Sequence, residues 1–152
     1  MEKELKGSLI EMAEALIDKD IPLVSNLSNL SRLIYENIDN VSWCGFYLSF
    51  MDKDELYLGP YQGPIACTII PFGKGVCGTC AETRTTQLVP NVHECENHIA
   101  CSSKTNSEIV VPIIKEDKVV GVIDLDSEEF SNFNDEHRIT LEKIAKIVSE
   151  LF

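Results

Sequence analysis

Six cysteines lie between positions 44 and 101, and the sequence has none outside that window. Cys77 and Cys80 bracket a Gly-Thr pair, while Cys95 and Cys101 flank His98. A thiolate is a nucleophile, a metal ligand and half of a disulfide, so the cluster admits three chemistries. Structural disulfides are the least needed, because a chain of 152 residues buries a core without them. A zinc site could draw on Cys77, Cys80, His93, Cys95, His98 and Cys101. The 95–98–101 run lacks a second tight Cys-x-x-Cys knuckle, which disfavours that reading. Cys77-Gly-Thr-Cys80 also resembles a thioredoxin-like centre, but only locally, since the elements around it do not alternate strand and helix. Thiol catalysis gains from two placements. Cys77 sits near the expected start of a helix, where unpaired backbone N–H groups favour a thiolate. Cys101 follows His98 by three residues in a polar stretch.

Carboxylates and aromatic residues add to this. In a strand over 119–126, Val122, Asp124 and Asp126 share one face, while Ile123 and Leu125 take the other. Two like charges on an otherwise apolar strand either emerge into solvent or form an anionic wall that suits a ligand ammonium group. Trp43 and Tyr47 share a face of an earlier strand, opposite Cys44, Phe46, Leu48 and Phe50. Such a pair is either core or a platform for a cation or a sulfur group.

The elements that must hold these residues can be read from periodicity. Leu5, Leu9, Met12 and Leu16 form one helical stripe and Leu23, Leu27, Leu30 and Ile34 a second, with Pro22 in the second helix's first turn. Strands are expected over 42–50 and 55–61 with a hairpin tip at Asp52-Lys-Asp54, then over 68–70 and 87–89. A short helix runs through Cys77 and Glu82 between the last two. Residues 90–107 are polar and ambiguous. Strands over 109–115 and 118–125 flank Glu116-Asp117, a two-residue hairpin connection. Asn134 caps a last helix with the stripe Leu141, Ile144, Val148 and Leu151. This order predicts one α+β domain over 1–152 with a mainly antiparallel sheet.

With 13 basic and 25 acidic residues the formal charge is −12, and the basic residues are scattered, so no nucleic-acid partner is expected. The start of the chain mixes charges, and no stretch approaches the roughly 18 apolar residues of a membrane span. No membrane partner and a cytoplasmic setting with reduced thiols are expected.

The ordered segments Trp43-Cys-Gly-Phe-Tyr47, Gly59-Pro-Tyr-Gln-Gly63, Ile65-Ala-Cys67, Pro71-Phe-Gly-Lys-Gly-Val-Cys-Gly-Thr79, His98-Ile-Ala-Cys101, Ser107-Glu-Ile-Val-Val-Pro112 and Gly121-Val-Ile-Asp-Leu-Asp-Ser127 carry a resemblance. Together with cysteine intervals of 10 (67 to 77) and 24 (77 to 101), they resemble the free methionine-R-sulfoxide reductases, stand-alone GAF-domain enzymes. The resemblance covers most of the chain and implies a GAF-like fold. In such a fold the N- and C-terminal helices pack on one face of the sheet and the ligand pocket lies on the other. It implies reduction of free methionine-R-sulfoxide with Cys101 as catalytic thiol, Cys77 as principal resolving thiol and Cys67 as a further redox-active thiol. Cys101 would pass through a sulfenic acid to an intramolecular disulfide, opened by a thioredoxin-like reductant. Trp43, Tyr47, Glu108, Asp124 and Asp126 would form the pocket, with Glu108 or Asp126 as the acid. No cofactor or metal is implied, and a homodimer is compatible. Two departures stand out: Ser102 replaces the acidic residue that commonly follows the catalytic Cys, and Cys80 stands where a small residue is usual. The competing reading is a non-catalytic GAF module that binds a small ligand or senses redox state.

Overall fold

Residues 2–50, 52–95 and 102–152 are described by the computed structural model. Helical stripes form α1 (Glu2–Leu16) and α2 (Leu23–Asn37). Pro22 immediately precedes α2 as its N-cap, one position outside the expected first turn, and its carbonyl accepts from the N–H groups of Ser25 and Asn26. The strands are β1 (Trp43–Ser49), β2 (Glu55–Gln62), β3 (Ile69–Pro71), β4 (Gln87–Val89), β5 (Ser107–Lys115) and β6 (Lys118–Ser127). Between β3 and β4 lies α3 (Gly75–Thr83), and α4 (Asp135–Ser149) follows β6. A single 3-10 turn, Val92–Glu94, occupies part of the ambiguous stretch.

The six strands form one sheet in the order β3-β2-β1-β6-β5-β4, antiparallel at every pairing. The β5–β6 hairpin turns through Glu116 (φ 49°) and Asp117 (φ 66°), both left-handed, which is the two-residue geometry that matches strand twist. At the other end of β6, Ser127 donates to the Asn40 carbonyl and closes the sheet against the α2–β1 connection. Asn134 caps α4 by accepting from the His137 N–H, and the His137 ring accepts in return from the Asn134 N–H.

Period-2 alternation sorts the strand side chains between two cores. Cys44, Phe46, Ile109, Val111, Ile113, Ile123 and Leu125 point to the face covered by α1, α2 and α4, where Leu27, Leu30, Ile34, Leu141, Ile144 and Val148 are buried. Trp43, Tyr47, Val110 and Val122 point the other way, where α3 packs on the sheet with Val76, Cys77, Cys80 and Ala81. The expected α+β architecture, with terminal helices on one face and a pocket on the other, is the one observed. One short helix cannot fill a six-stranded face, and a cavity remains between this face and the segments packed on it. Among the described residues no helix is long and apolar enough to cross a membrane.

Candidate active site

Glu108 on β5 and Asp124 and Asp126 on β6 meet because the strands pair Glu108 directly opposite Asp126, with Asp124 two residues along the same face. Asp124 does not emerge into solvent: it is 4% exposed, and Glu108 is 6% exposed. Side-chain hydrogen bonds link Glu108 to both aspartates and Asp124 to Cys77. Even so, the Oδ1 atoms of Asp124 and Asp126 are buried with no hydrogen-bond partner. Burial, then the neighbouring aspartates, push Glu108 well above the ordinary carboxylate range. Burial and the Asp124 charge do the same for Asp126. Asp124 is also raised by burial, but the hydrogen bonds it accepts from Glu108 and Cys77 oppose the rise. All three carboxyl groups are therefore held above the ordinary carboxylate range, with the rise opposed by hydrogen bonds at Asp124.

Cys77 lies in the first turn of α3 and aims its thiol at this trio. Burial opposes the thiolate that the helix start favours. Burial, followed by the charges of Asp124, Glu108 and Asp126, raises the Cys77 pKa well above that of an ordinary thiol. A partial positive charge at a helix end is outweighed when the thiol is 4% exposed beside three carboxyl groups. Gly78 makes the approach of α3 possible: a Cβ there would sit 2.3 Å from the Pro71 carbonyl oxygen.

The aromatic wall is built on β1. Trp43 stacks on Tyr47 (centroids 5.8 Å) and on Tyr61 of β2 (5.1 Å). Its indole N–H donates to the Pro64 carbonyl at 3.0 Å. Gly45 faces Tyr61 across the strands, and a Cβ at Gly45 would lie 2.3 Å from that of Tyr61 and 2.8 Å from the Trp43 ring. Tyr47 does more than pack: its hydroxyl donates to the Cys67 carbonyl at 2.9 Å, tying the Cys67 segment to the sheet. Burial and the nearby Asp124 raise the Tyr47 pKa, so the phenol remains a donor.

These side chains line one cavity of about 140 Å³, with the carboxyl trio, Cys77, Trp43 and Tyr47 in its wall. Ser102, Lys104 and Glu128 lie at the same cavity. Its size is near the roughly 150 Å³ of cavities that take up benzene, the scale of a small amino acid. Tyr61 and Lys104 were not singled out from sequence, and Ser102 was noted there only as a departure beside the catalytic Cys. Strand alternation would have found Tyr61 once its register with Gly45 was known.

The thiols separate by state. Cys44, Cys77, Cys80 and Cys95 are free, and Cys67 is disulfide-bonded. Cys101 and His98 lie outside the described residues. The Cys80 Sγ donates to the Val110 carbonyl at 3.5 Å, and Cys77 and Cys80 are both free thiols with no disulfide between them. His93 is engaged with the Asn106 side chain at 2.7 Å, away from both. The zinc set read from the sequence does not assemble among the described residues; the cluster that does, Cys77, Glu108 and Asp124, has ligand atoms within 4.8 Å of one another.

The GAF domain family matches residues 25–152. The free methionine-R-sulfoxide reductase of Saccharomyces cerevisiae is 44% identical over 154 residues, covering 97% of this chain and 86% of the yeast protein. The Escherichia coli protein of the same name is 43% identical over 122 residues, covering 80% and 73%. The crystal structure of the free methionine-R-sulfoxide reductase of Neisseria meningitidis in complex with its substrate superposes with a TM-score of 0.88 at 38% identity, covering 99% of this chain and 87% of that one.

Proposed function

This chain belongs to the free methionine-R-sulfoxide reductases of the GAF-domain family, and from that membership we propose that it reduces free methionine-R-sulfoxide to methionine by thiol chemistry. The observation that carries the reading is the buried carboxyl trio, whose Asp124 and Asp126 Oδ1 atoms lack partners at a cavity walled by Trp43 and Tyr47. A free amino acid brings an ammonium group with N–H donors that such oxygens accept. A methionine within a peptide has no ammonium there, so it would leave the two oxygens buried and unsatisfied. The S-methyl end packs on the aromatic wall.

Catalysis begins with the Cys101 thiolate attacking the sulfoxide sulfur. The sulfoxide oxygen passes to Cys101 with a proton from Glu108, the acid that burial holds protonated. The substrate sulfur gains two electrons and leaves as methionine, and Cys101 is left as sulfenic acid. A second thiol then displaces the hydroxyl as water, forming a disulfide that a thioredoxin-like dithiol opens by exchange. The resemblance makes Cys77 the principal resolving thiol. The thiol states favour Cys67 for the first step: it is the disulfide-bonded one, whereas Cys77 is free, buried and held protonated. Cys77 then acts second, on the disulfide made by Cys67. A single domain over residues 1–152, a reducing cytoplasmic setting and a homodimer belong to the same proposal.

Turnover of free methionine-R-sulfoxide with thioredoxin and its reductase tests the reading. Cys101→Ser should abolish it, and an active Cys101→Ser protein would refute the assignment of the nucleophile. Cys67→Ser should keep a single turnover of methionine formation but lose most thioredoxin-linked recycling, with Cys77→Ser impaired less. The reverse order would restore Cys77 as the first resolving thiol.

A further inference from the structure

Cys77, Glu108 and Asp124 come from three elements, α3, β5 and β6, and each offers a ligand atom to one point. All three residues are buried, and their ligand atoms lie within 4.8 Å of one another. A carboxyl cluster by itself need not bind an ion. Here a second observation points to one: Asp124, 4% exposed, keeps Oδ1 without any hydrogen-bond partner beside the cavity, as does the Asp126 Oδ1.

We propose that this cluster binds a thiophilic divalent cation, Zn²⁺ in preference to Mg²⁺ or Ca²⁺, through Cys77 Sγ and the Glu108 and Asp124 carboxylates, and that the ion shuts the pocket to substrate. Zn–S and Zn–O bonds of about 2.3 and 2.1 Å set tetrahedral ligand atoms roughly 3.5 Å apart. On binding, Cys77 and Glu108 release their protons to solvent, and the thiolate donor so formed selects Zn²⁺ over the hard cations, which prefer oxygen alone. Three protein ligands leave the fourth position facing the cavity, where the substrate's ammonium would otherwise approach Asp124. Cys80 does not contribute, since its Sγ is turned to the Val110 carbonyl. The ion acts as an inhibitor that competes for the carboxylates, without any role in turnover.

This inference rests on the pocket assigned above but not on its activity. Protein reduced with a phosphine and exchanged into metal-free buffer is titrated with Co²⁺ alone, then with Zn²⁺ alone. Co²⁺ should produce a thiolate-to-cobalt charge-transfer band that Zn²⁺ bleaches and excess free methionine weakens. Cys77→Ser should lose the band, while Cys80→Ser and Cys95→Ser keep it. Asp124→Asn, which retains the thiol, should weaken Co²⁺ binding by roughly tenfold or more; it decides the matter if Cys77→Ser does not fold. No band in the parent protein, a band that survives in folded Cys77→Ser, unchanged affinity in Asp124→Asn, or indifference to methionine each overturns the proposal. Turnover assayed separately in chelator reports on the reductase reading, so a protein that binds Co²⁺ but turns nothing over would lose only the latter.

Discussion

Three carboxyl groups on one patch of sheet have opposite effects on stability and on binding. Glu108 and Asp126 are raised by burial and by mutual charge, so the folded chain binds protons more tightly than the unfolded one. Their protonated forms fit the fold, and the associated stability is fully present below the unfolded carboxyl pKa of about 4. It is lost as pH rises through the elevated folded values. Glu108→Gln keeps a donor toward both aspartates and cannot ionise. Its thermal midpoint should match the parent at about pH 4 and exceed it at pH 8 by several degrees, at about 2–4 °C per kcal/mol for a chain of this size. In kinetics the two acidic positions should part. Glu108→Gln should lower kcat, while Asp124→Asn should raise KM by roughly 10- to 100-fold, the scale of one charge-assisted hydrogen bond. Equal effects on both parameters in both variants would contradict the division between acid and ammonium site.

At the scale of elements, β1 and α3 decide whether a pocket exists. Residue alternation alone put Trp43, Tyr47, Asp124 and Asp126 on consistent faces, and the pairing of Gly45 with Asp124 and Trp43 with Asp126 brings those faces together. The open face came from the family resemblance and not from periodicity, because α3 is short and its contact with the sheet depends on Gly78 meeting the Pro71 carbonyl. The Tyr61 ring likewise enters through the β1–β2 register, which shifts between Gly45 and Tyr47. Gly45→Ala tests this assembly. A Cβ 2.3 Å from that of Tyr61 must push strand or ring aside, at a cost of about 1–3 kcal/mol. The thermal midpoint should fall by several degrees and KM should rise as the Trp43–Tyr61 stack opens. A Gly45→Ala protein with parental midpoint and KM would show that the stack has slack.

Across the whole molecule, a formal charge of −12 over 152 residues means that the folded chain repels itself. Raising ionic strength from about 0.01 M to 0.15 M shortens the screening length from roughly 30 Å to 8 Å. The thermal midpoint should therefore rise with salt, while KM for a zwitterionic substrate bound at buried carboxylates should change little. A midpoint that falls with salt would mean that surface ion pairs such as Arg138 with Asp135 and Glu142 outweigh the repulsion. The same scale separates what could be read from the chain and what could not. Periods of 3.6 and 2, the Glu116-Asp117 turn and the Asn134 cap determined most elements, their order and the faces of the residues on β1 and β6, because these are local consequences of backbone geometry. Strand register, which put Glu108 against Asp126, was decided by tertiary pairing. So was the protonated state of Cys77, where the local helix start argued for a thiolate and burial beside three carboxyl groups prevailed. Charge and burial act through space, and the sequence order of Cys77, Glu108 and Asp124 holds no measure of the distances between them.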